Sequence, residues 1–310
     1  MHRTRLTQAA RAAALLVAVA FSTAATTLPA LAAAPLARTQ APGFYRMMLG
    51  DFEVTALSDG TLAVDVDKDL RQPAAKTEAA LAKSFLKAPV PTSVNAFLVN
   101  TGAKLVLIDT GTGGAFDPSA GSLLANLKAS GYAPEQVDDV FITHSHGDHV
   151  GGLAKDGAAV FPNAVVHAGK ADIEAAQAKP NNPFAPYATA KHLQPIEGAA
   201  EVVPGVRAWP TPGHTPGHTS YVVESGGQKM IVTGDLIHVA AVQLDDPAVT
   251  ITYDSDPKAA EAQRAKVFAQ AARDGALVAA SHLQFPGIGH LRANGKGWAY
   301  VPVNYVPALK

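Results

Sequence analysis

Thr143-His144-Ser145-His146-Gly147-Asp148-His149 follows directly on the apolar run Val140-Phe141-Ile142. Three imidazoles and a carboxylate fall within six consecutive positions, where a strand of that apolarity should end. One tetrahedral ion cannot accept all four groups at such close spacing, but two neighbouring ions can. Neutral imidazole and carboxylate oxygen suit Zn²⁺ first, with Mn²⁺, Co²⁺ and Fe²⁺ as alternatives. Clustered histidine is more often explained by ligation than by a solvated polar loop.

Three further runs end in the same way. Val206-Arg207-Ala208-Trp209 leads to Pro212-Gly213-His214, Met230-Ile231-Val232-Thr233-Gly234 leads to Asp235, and Leu277-Val278-Ala279-Ala280-Ser281 leads to His282. Strands of one sheet that finish at ligands gather them along one edge, where α/β sheets bind. Glycines at 147, 151, 152, 213 and 234 allow tight turns beside such a site. The remaining pattern alternates short β-rich runs with helical ones, as a layered α/β domain requires. Expected strands are 52–57, 93–100, 105–109, 140–143, 164–167, 206–209, 220–223, 230–233 and 277–280. Expected helices are 77–87, 119–130, 170–178 and 257–273. The last has Asp256-Pro257 at its start and Gly275 after its end. The proline-rich patch from Pro180 to Pro186 reads as a surface loop.

With the H-x-H-x-D-H motif, Gly213-His214-Thr215-Pro216-Gly217-His218, Gly234-Asp235 and Ser281-His282, the chain resembles the metallo-β-lactamase superfamily. Within it, the chain looks most like the methyl parathion hydrolases and their lactone-hydrolysing relatives. The resemblance implies an αββα sandwich: two facing mixed β-sheets flanked by helices, with a dinuclear metal site at one edge. It assigns His144, His146 and His214 to one ion, and Asp148, His149 and His282 to the second. Asp235 would bridge both, and His218 would be a structural neighbour of the set. Asp109 fits a carboxylate that orients a ligand histidine.

Two such cations imply a hydrolase, because water bridging them loses a proton near neutral pH. The resulting hydroxide attacks a carbonyl or phosphoryl centre. Asp148, Asp235 and His238 are the expected catalytic group, with His238 reaching a carbonyl or leaving oxygen. Phe116, His238, Ile251 and Tyr253 are the candidate pocket residues. Asp69 stands where methyl parathion hydrolases carry an arginine, and His238 where they carry a leucine. The segment from about Gly169 to Gly198 is shorter and lacks an aromatic-rich helix, for which Phe184 and Tyr187 are partial replacements. Lactones or activated aryl esters are therefore the expected substrates. An organophosphate triester hydrolase is the alternative within this class. A mononuclear-iron dioxygenase acting on thiol adducts is the alternative of another class, and a non-catalytic metal-binding module is a third.

The chain has 310 residues, 48% of them apolar, enough for one large core. Arg3, Arg5 and Arg11 precede the apolar run Ala12 to Phe21, and Ala-x-Ala sites follow near Ala32 to Ala34. This order predicts a secretory signal over residues 1–33, a single hydrolase domain over 34–310, and a periplasmic or secreted protein. Without those arginines, 22 basic residues face 26 acidic ones. No basic block is present, so a nucleic-acid partner is not expected. No uninterrupted apolar stretch is long enough for stable membrane insertion. Cysteine is absent, which excludes disulfides and thiolate ligands. A small-molecule substrate is the expected partner, and the resemblance suggests a homodimer.

Overall fold

A computed structural model describes residues 34–307 and residue 309; the expected signal segment lies outside the described residues. Ala41–Lys310 form one compact unit. Its first-half strands are β1 (Phe44–Leu49), β2 (Phe52–Val64), β3 (Val90–Asn100), β4 (Leu105–Ile108) and β5 (Asp139–Phe141). A small hairpin, β6 (Ala154–Lys155) and β7 (Ala158–Ala159), precedes β8 (Val165–Gly169) and β9 (Leu193–Ile196). Without that hairpin, these form a seven-stranded sheet in the order β1-β2-β3-β4-β5-β8-β9. The second sheet, also seven-stranded, takes its strands in sequence order. They are β10 (Ala200–Val203), β11 (Val206–Pro210), β12 (Thr219–Ser225), β13 (Gln228–Val232), β14 (Leu277–Ala279), β15 (Ile288–Asn294) and β16 (Gly297–Pro302). Both sheets are mixed, with parallel pairing at β4–β5, β5–β8, β8–β9 and β13–β14.

The alternation of side chains along each strand divides the core into layers. Val106 and Ile108 of β4 meet Met230 and Val232 of β13 in one cluster between the sheets. Leu105 and Leu107 face the other way, into a cluster with Leu123 and Leu127 of the helix over Leu123–Ala129. Ile231 and Val278 likewise face Val267, Phe268 and Ala271 of the long helix over Pro257–Asp274. Helices therefore cover both outer faces, which is the αββα sandwich expected. Asp256 caps the long helix by accepting from the amides of Lys258 and Ala259.

A smaller apolar cluster sits beside this sandwich. Val66 and Leu70 pack with Leu81, Val90, Val239, Val242, Val249 and Ile251. It joins the short helices over Val66–Asp69, Ala74–Lys83 and Ala240–Gln243 to the loop before the long helix. These pieces form a cap.

Local differences from expectation have physical causes. The helix expected from Ser119 begins at Leu123, because Asp59 accepts from the amides of Gly121 and Leu123. The helix expected to reach Lys87 stops at Lys83, just before Phe85 turns left-handed at φ 57°. The proline-rich patch contains a short helix, Ala185–Thr189. Phe184 and Tyr187 are buried in the core rather than lining a pocket. The Tyr187 hydroxyl donates to the Leu153 carbonyl and accepts from the Phe161 amide. They do not replace the pocket aromatics, which corrects the sequence-based expectation.

Candidate metal centre and cavity

The parallel strands β4, β5, β13 and β14 end at one edge, and the polar residues follow at once: Asp109, His144, Asp235 and His282. His146 caps the single-turn helix Gly147–Val150, which turns Asp148 and His149 back toward the same point. Gly234 makes the turn before Asp235 at φ 50°, where a Cβ would lie 2.8 Å from Thr143 and 2.9 Å from His218. Only glycine fits that approach.

Ligand-capable atoms of His144, His146, His214 and Asp235 lie within 4.8 Å of one another, as do those of Asp148, His149 and His282. Asp235 Oδ2 is 3.6 Å from His144 Nε2 and 3.4 Å from His214 Nε2. Its Oδ1 is 3.2 Å from His149 Nε2 and 3.1 Å from His282 Nε2. Asp148 Oδ2 closes the second group, 3.5 Å from His149 and 3.4 Å from His282. His146 Nδ1 stands 3.0 Å from both His144 Nε2 and His214 Nε2. An ion with tetrahedral bonds of 2.0–2.1 Å would set its donors roughly 3.3 Å apart. The observed spacings fall on either side of that value. His149 Nε2 and Asp235 Oδ1 are buried with no hydrogen-bond partner, a costly state unless a cation takes them. The residues present therefore fit two divalent ions.

Outer partners fix which ring nitrogen is free. His214 Nδ1 donates to Asp254 Oδ1 at 2.8 Å, and His149 Nδ1 to Asp109 Oδ2 at 2.8 Å. His282 Nδ1 donates to the Ser93 carbonyl at 2.8 Å. His144 Nδ1 lies 3.1 Å from the Thr143 hydroxyl, which itself donates to Asp109. In each case Nε2 keeps its lone pair for the centre. His218 accepts from the Asp235 amide at 3.2 Å, holding that residue from behind. Asp172 fastens the two histidine loops together: it accepts from the Ser145 amide, the Thr215 hydroxyl and the Gly217 amide. Asp172, Asp254 and Ser93 escaped the sequence reading, since their partners are distant in the chain and no local pattern marks them.

The charge balance also asks for cations. Burial holds His144 well below its ordinary value, and His146 down to about 4. Burial would also lower His282, but Asp235 and Asp148 outweigh it and raise this imidazole to about 9. His149 is raised well above its usual range for the same reason, against its burial, by Asp235, Asp148 and Asp109. Burial opposes ionisation of Asp235, yet His149, His282 and His144 hold it well below the carboxylate range. In the protein alone, protons on two histidines offset the buried carboxylates; divalent ions would take over that role.

A cavity of about 430 Å³ opens on this centre. Its walls include Leu62, Val64, Val66, Val239 and Ile251, and among the described residues no lysine or arginine lines it. Phe116, His238, Ile251 and Tyr253, the four candidate pocket residues, are all on its lining. His238 Nε2 donates to Asp235 Oδ2 at 3.1 Å, while its Nδ1 has no protein partner. Burial lowers the pKa of His238 despite the nearby Asp235, which favours the neutral ring with Nδ1 as an acceptor. Ligand-capable atoms of His238 also group with those of Asp235 and His282. Tyr253 donates its hydroxyl to Asp69 at 2.5 Å across the mouth.

Residues 89–282 match the family described as the metallo-beta-lactamase superfamily. The chain belongs to that superfamily. It is similar to the crystal structure of a hydrolase of the beta-lactamase superfamily, AbOPH. The two are 38% identical at a TM-score of 0.81, over 86% of this chain and 100% of the other. It is also similar to AidC, a dizinc quorum-quenching lactonase solved with its product. That likeness is 28% identity and a TM-score of 0.75, covering 85% of this chain and 98% of AidC. An N-acyl homoserine lactonase of Bacillus cereus is 31% identical over 140 residues, 45% of this chain and 54% of the relative. The chain spans only 38% to 54% of the first curated lactonases it matches.

Proposed function

We propose that this protein is a two-metal hydrolase that opens lactones or cleaves activated aryl esters. The observation that carries this reading is Asp235: one carboxylate oxygen meets His144 and His214, and the other meets His149 and His282. In this reading His144, His146 and His214 would hold one ion, Asp148, His149 and His282 the other, and Asp235 would serve both. Divalent cations in such a site supply a water of lowered pKa and a Lewis acid for the reacting oxygen.

The chain's own residues do the rest. The apolar walls exclude bulk water and suit a substrate with apolar bulk beside its reacting group. The neutral His238 ring adds a hydrogen-bonding group beside Asp235, suited to the substrate's carbonyl or leaving oxygen once Asp235 is otherwise engaged. Asp148 is partly exposed at the cavity and could hold the proton of an attacking water. The likeness to AidC and to the Bacillus lactonase supports the lactone reading. The leader, read as a signal, adds export to the proposal.

Elemental analysis with rates on dihydrocoumarin-type lactones, aryl esters and methyl parathion tests it. The expected result is two divalent ions per chain, zinc ahead of manganese, cobalt and iron, and faster lactone than phosphotriester turnover.

 A preference for the phosphotriester would favour the organophosphate alternative, and a single iron would favour the dioxygenase.

A further inference from the structure

We propose that Gln243 is a positioning residue that acts through His238, taking the hydrolase reading above for the role of that imidazole. Between Asp235 and the short helix Ala240–Gln243 the chain is extended at Ile237 and Val239, with φ −147° and −127°. Among the described residues, neither the His238 amide nor the Val239 amide meets a backbone acceptor. Both donate instead to one side-chain atom, Gln243 Oε1, at 2.8 and 2.9 Å. Gln243 is fully buried, so its loss would strand two buried amides. His238 is thereby held at two points: its amide on Gln243, and its ring Nε2 on Asp235 Oδ2. A shift of either point swings the imidazole relative to the cavity it lines.

The other end of the Gln243 amide is anchored in turn. Its Nε2 donates to the Val249 carbonyl at 3.0 Å, and that carbonyl also accepts from Arg264 Nη1 at 2.9 Å. Arg264, fully buried in the long helix, donates from Nε to the Leu236 carbonyl and from Nη1 to the Pro247 carbonyl. The segment 236–239, which carries His238, is therefore tied to the segment 247–249 by two side chains from two helices. Only an amide meets the demand at this place, because one atom must accept twice while the other donates to a carbonyl. A carboxylate supplies the acceptors without the donor, and a thioether supplies no donor and only a weak acceptor.

The test compares turnover of one lactone by the unaltered protein, Gln243→Met, His238→Ala and the double variant. Gln243→Met should lower kcat about tenfold, with KM changed less and metal content unchanged. On the His238→Ala background the same substitution should cost under about twofold, because the residue it acts through is gone. Equal costs in the two backgrounds would show a purely structural role and overturn the proposal. Gln243→Glu keeps both acceptor contacts and should hold kcat within about threefold of the unaltered protein. A larger loss in that variant overturns the proposal, whether or not Gln243→Met folds. A second readout needs no turnover: the ring resonances of His238 in the zinc-loaded protein, identified by their loss in His238→Ala. They should move in Gln243→Met and stay close to their original positions in Gln243→Glu, while those of His214 remain in place. Unmoved His238 resonances in Gln243→Met refute the inference. If the unaltered protein opens no lactone, the hydrolase reading fails and these resonances alone decide whether Gln243 positions His238.

Discussion

At the metal-ligand edge, four imidazoles each have an outer partner within 3.1 Å, and those partners sit on strand ends or tied loops. The cap is held otherwise: a small apolar cluster, plus hydrogen bonds in which the 250–254 loop donates to Asp69 and accepts from Arg71. The edge is over-determined, whereas the cap depends on a few contacts that can be exchanged. Chemistry that tolerates little displacement belongs on the first, and selection among substrates on the second. The two meet in one short segment, because Ile251 and Tyr253 line the cavity while Asp254 orients His214.

The largest effect expected is at the edge. Asp235→Asn should lower kcat/KM by about 10³-fold or more. Metal content should fall with it, as elemental analysis of the purified variant would show. An active, fully loaded Asp235→Asn protein would break the contrast outright. Next comes Asp254→Ala, which leaves the ligands untouched but removes the acceptor that orients His214. Metal affinity should weaken by about 10–100-fold, measured by chelator competition.

The acid–base behaviour of the edge gives a third measurement. His282 holds a proton up to about 9 in the protein alone, because Asp235 and Asp148 outweigh its burial. A cation in this group must displace that proton and the one that His149 also holds, so affinity should rise with pH through the range below about 9. Each displaced proton gives roughly a tenfold change per pH unit. A flat profile between pH 6 and about 9 would show that His282 is not a ligand. The cap should respond more mildly. Tyr253→Phe removes the hydroxyl that reaches Asp69, at a cost of about 0.5–1.5 kcal/mol in stability. It should change KM more than kcat, and leave metal content as it was.

How far the sequence could be read follows the same division. The convergence of His144, His146, Asp148, His149, His214, Asp235 and His282 was legible because each follows an apolar run with little chain between the strand and the polar residue. The layered fold was legible for a related reason: runs such as Leu105–Ile108 are apolar on both faces, as strands covered on both sides must be. Strands β1 and β16, at sheet edges, and β15 beside β16 carry mixed, partly exposed residues and gave no comparable signal. Phe184 and Tyr187 misled, since their composition says aromatic but only packing decides whether an aromatic lines a pocket or fills a core. Asp172 was invisible for want of locality. It lies in the first turn of a helix, where acidic residues are ordinary, and its role appears only when Ser145 and Thr215 arrive from distant parts of the chain.

Each ligand group takes residues from both sheets: His144 and His146 with His214 and Asp235, then Asp148 and His149 with His282. Cations at this seam would act as rivets between two halves that otherwise adhere through oily side chains and a few hydrogen bonds, such as that from Tyr221 to the Ile142 carbonyl. Stripping them should loosen the seam before it disturbs either half, and protease sensitivity should emerge first in the loops that cross from one sheet to the other.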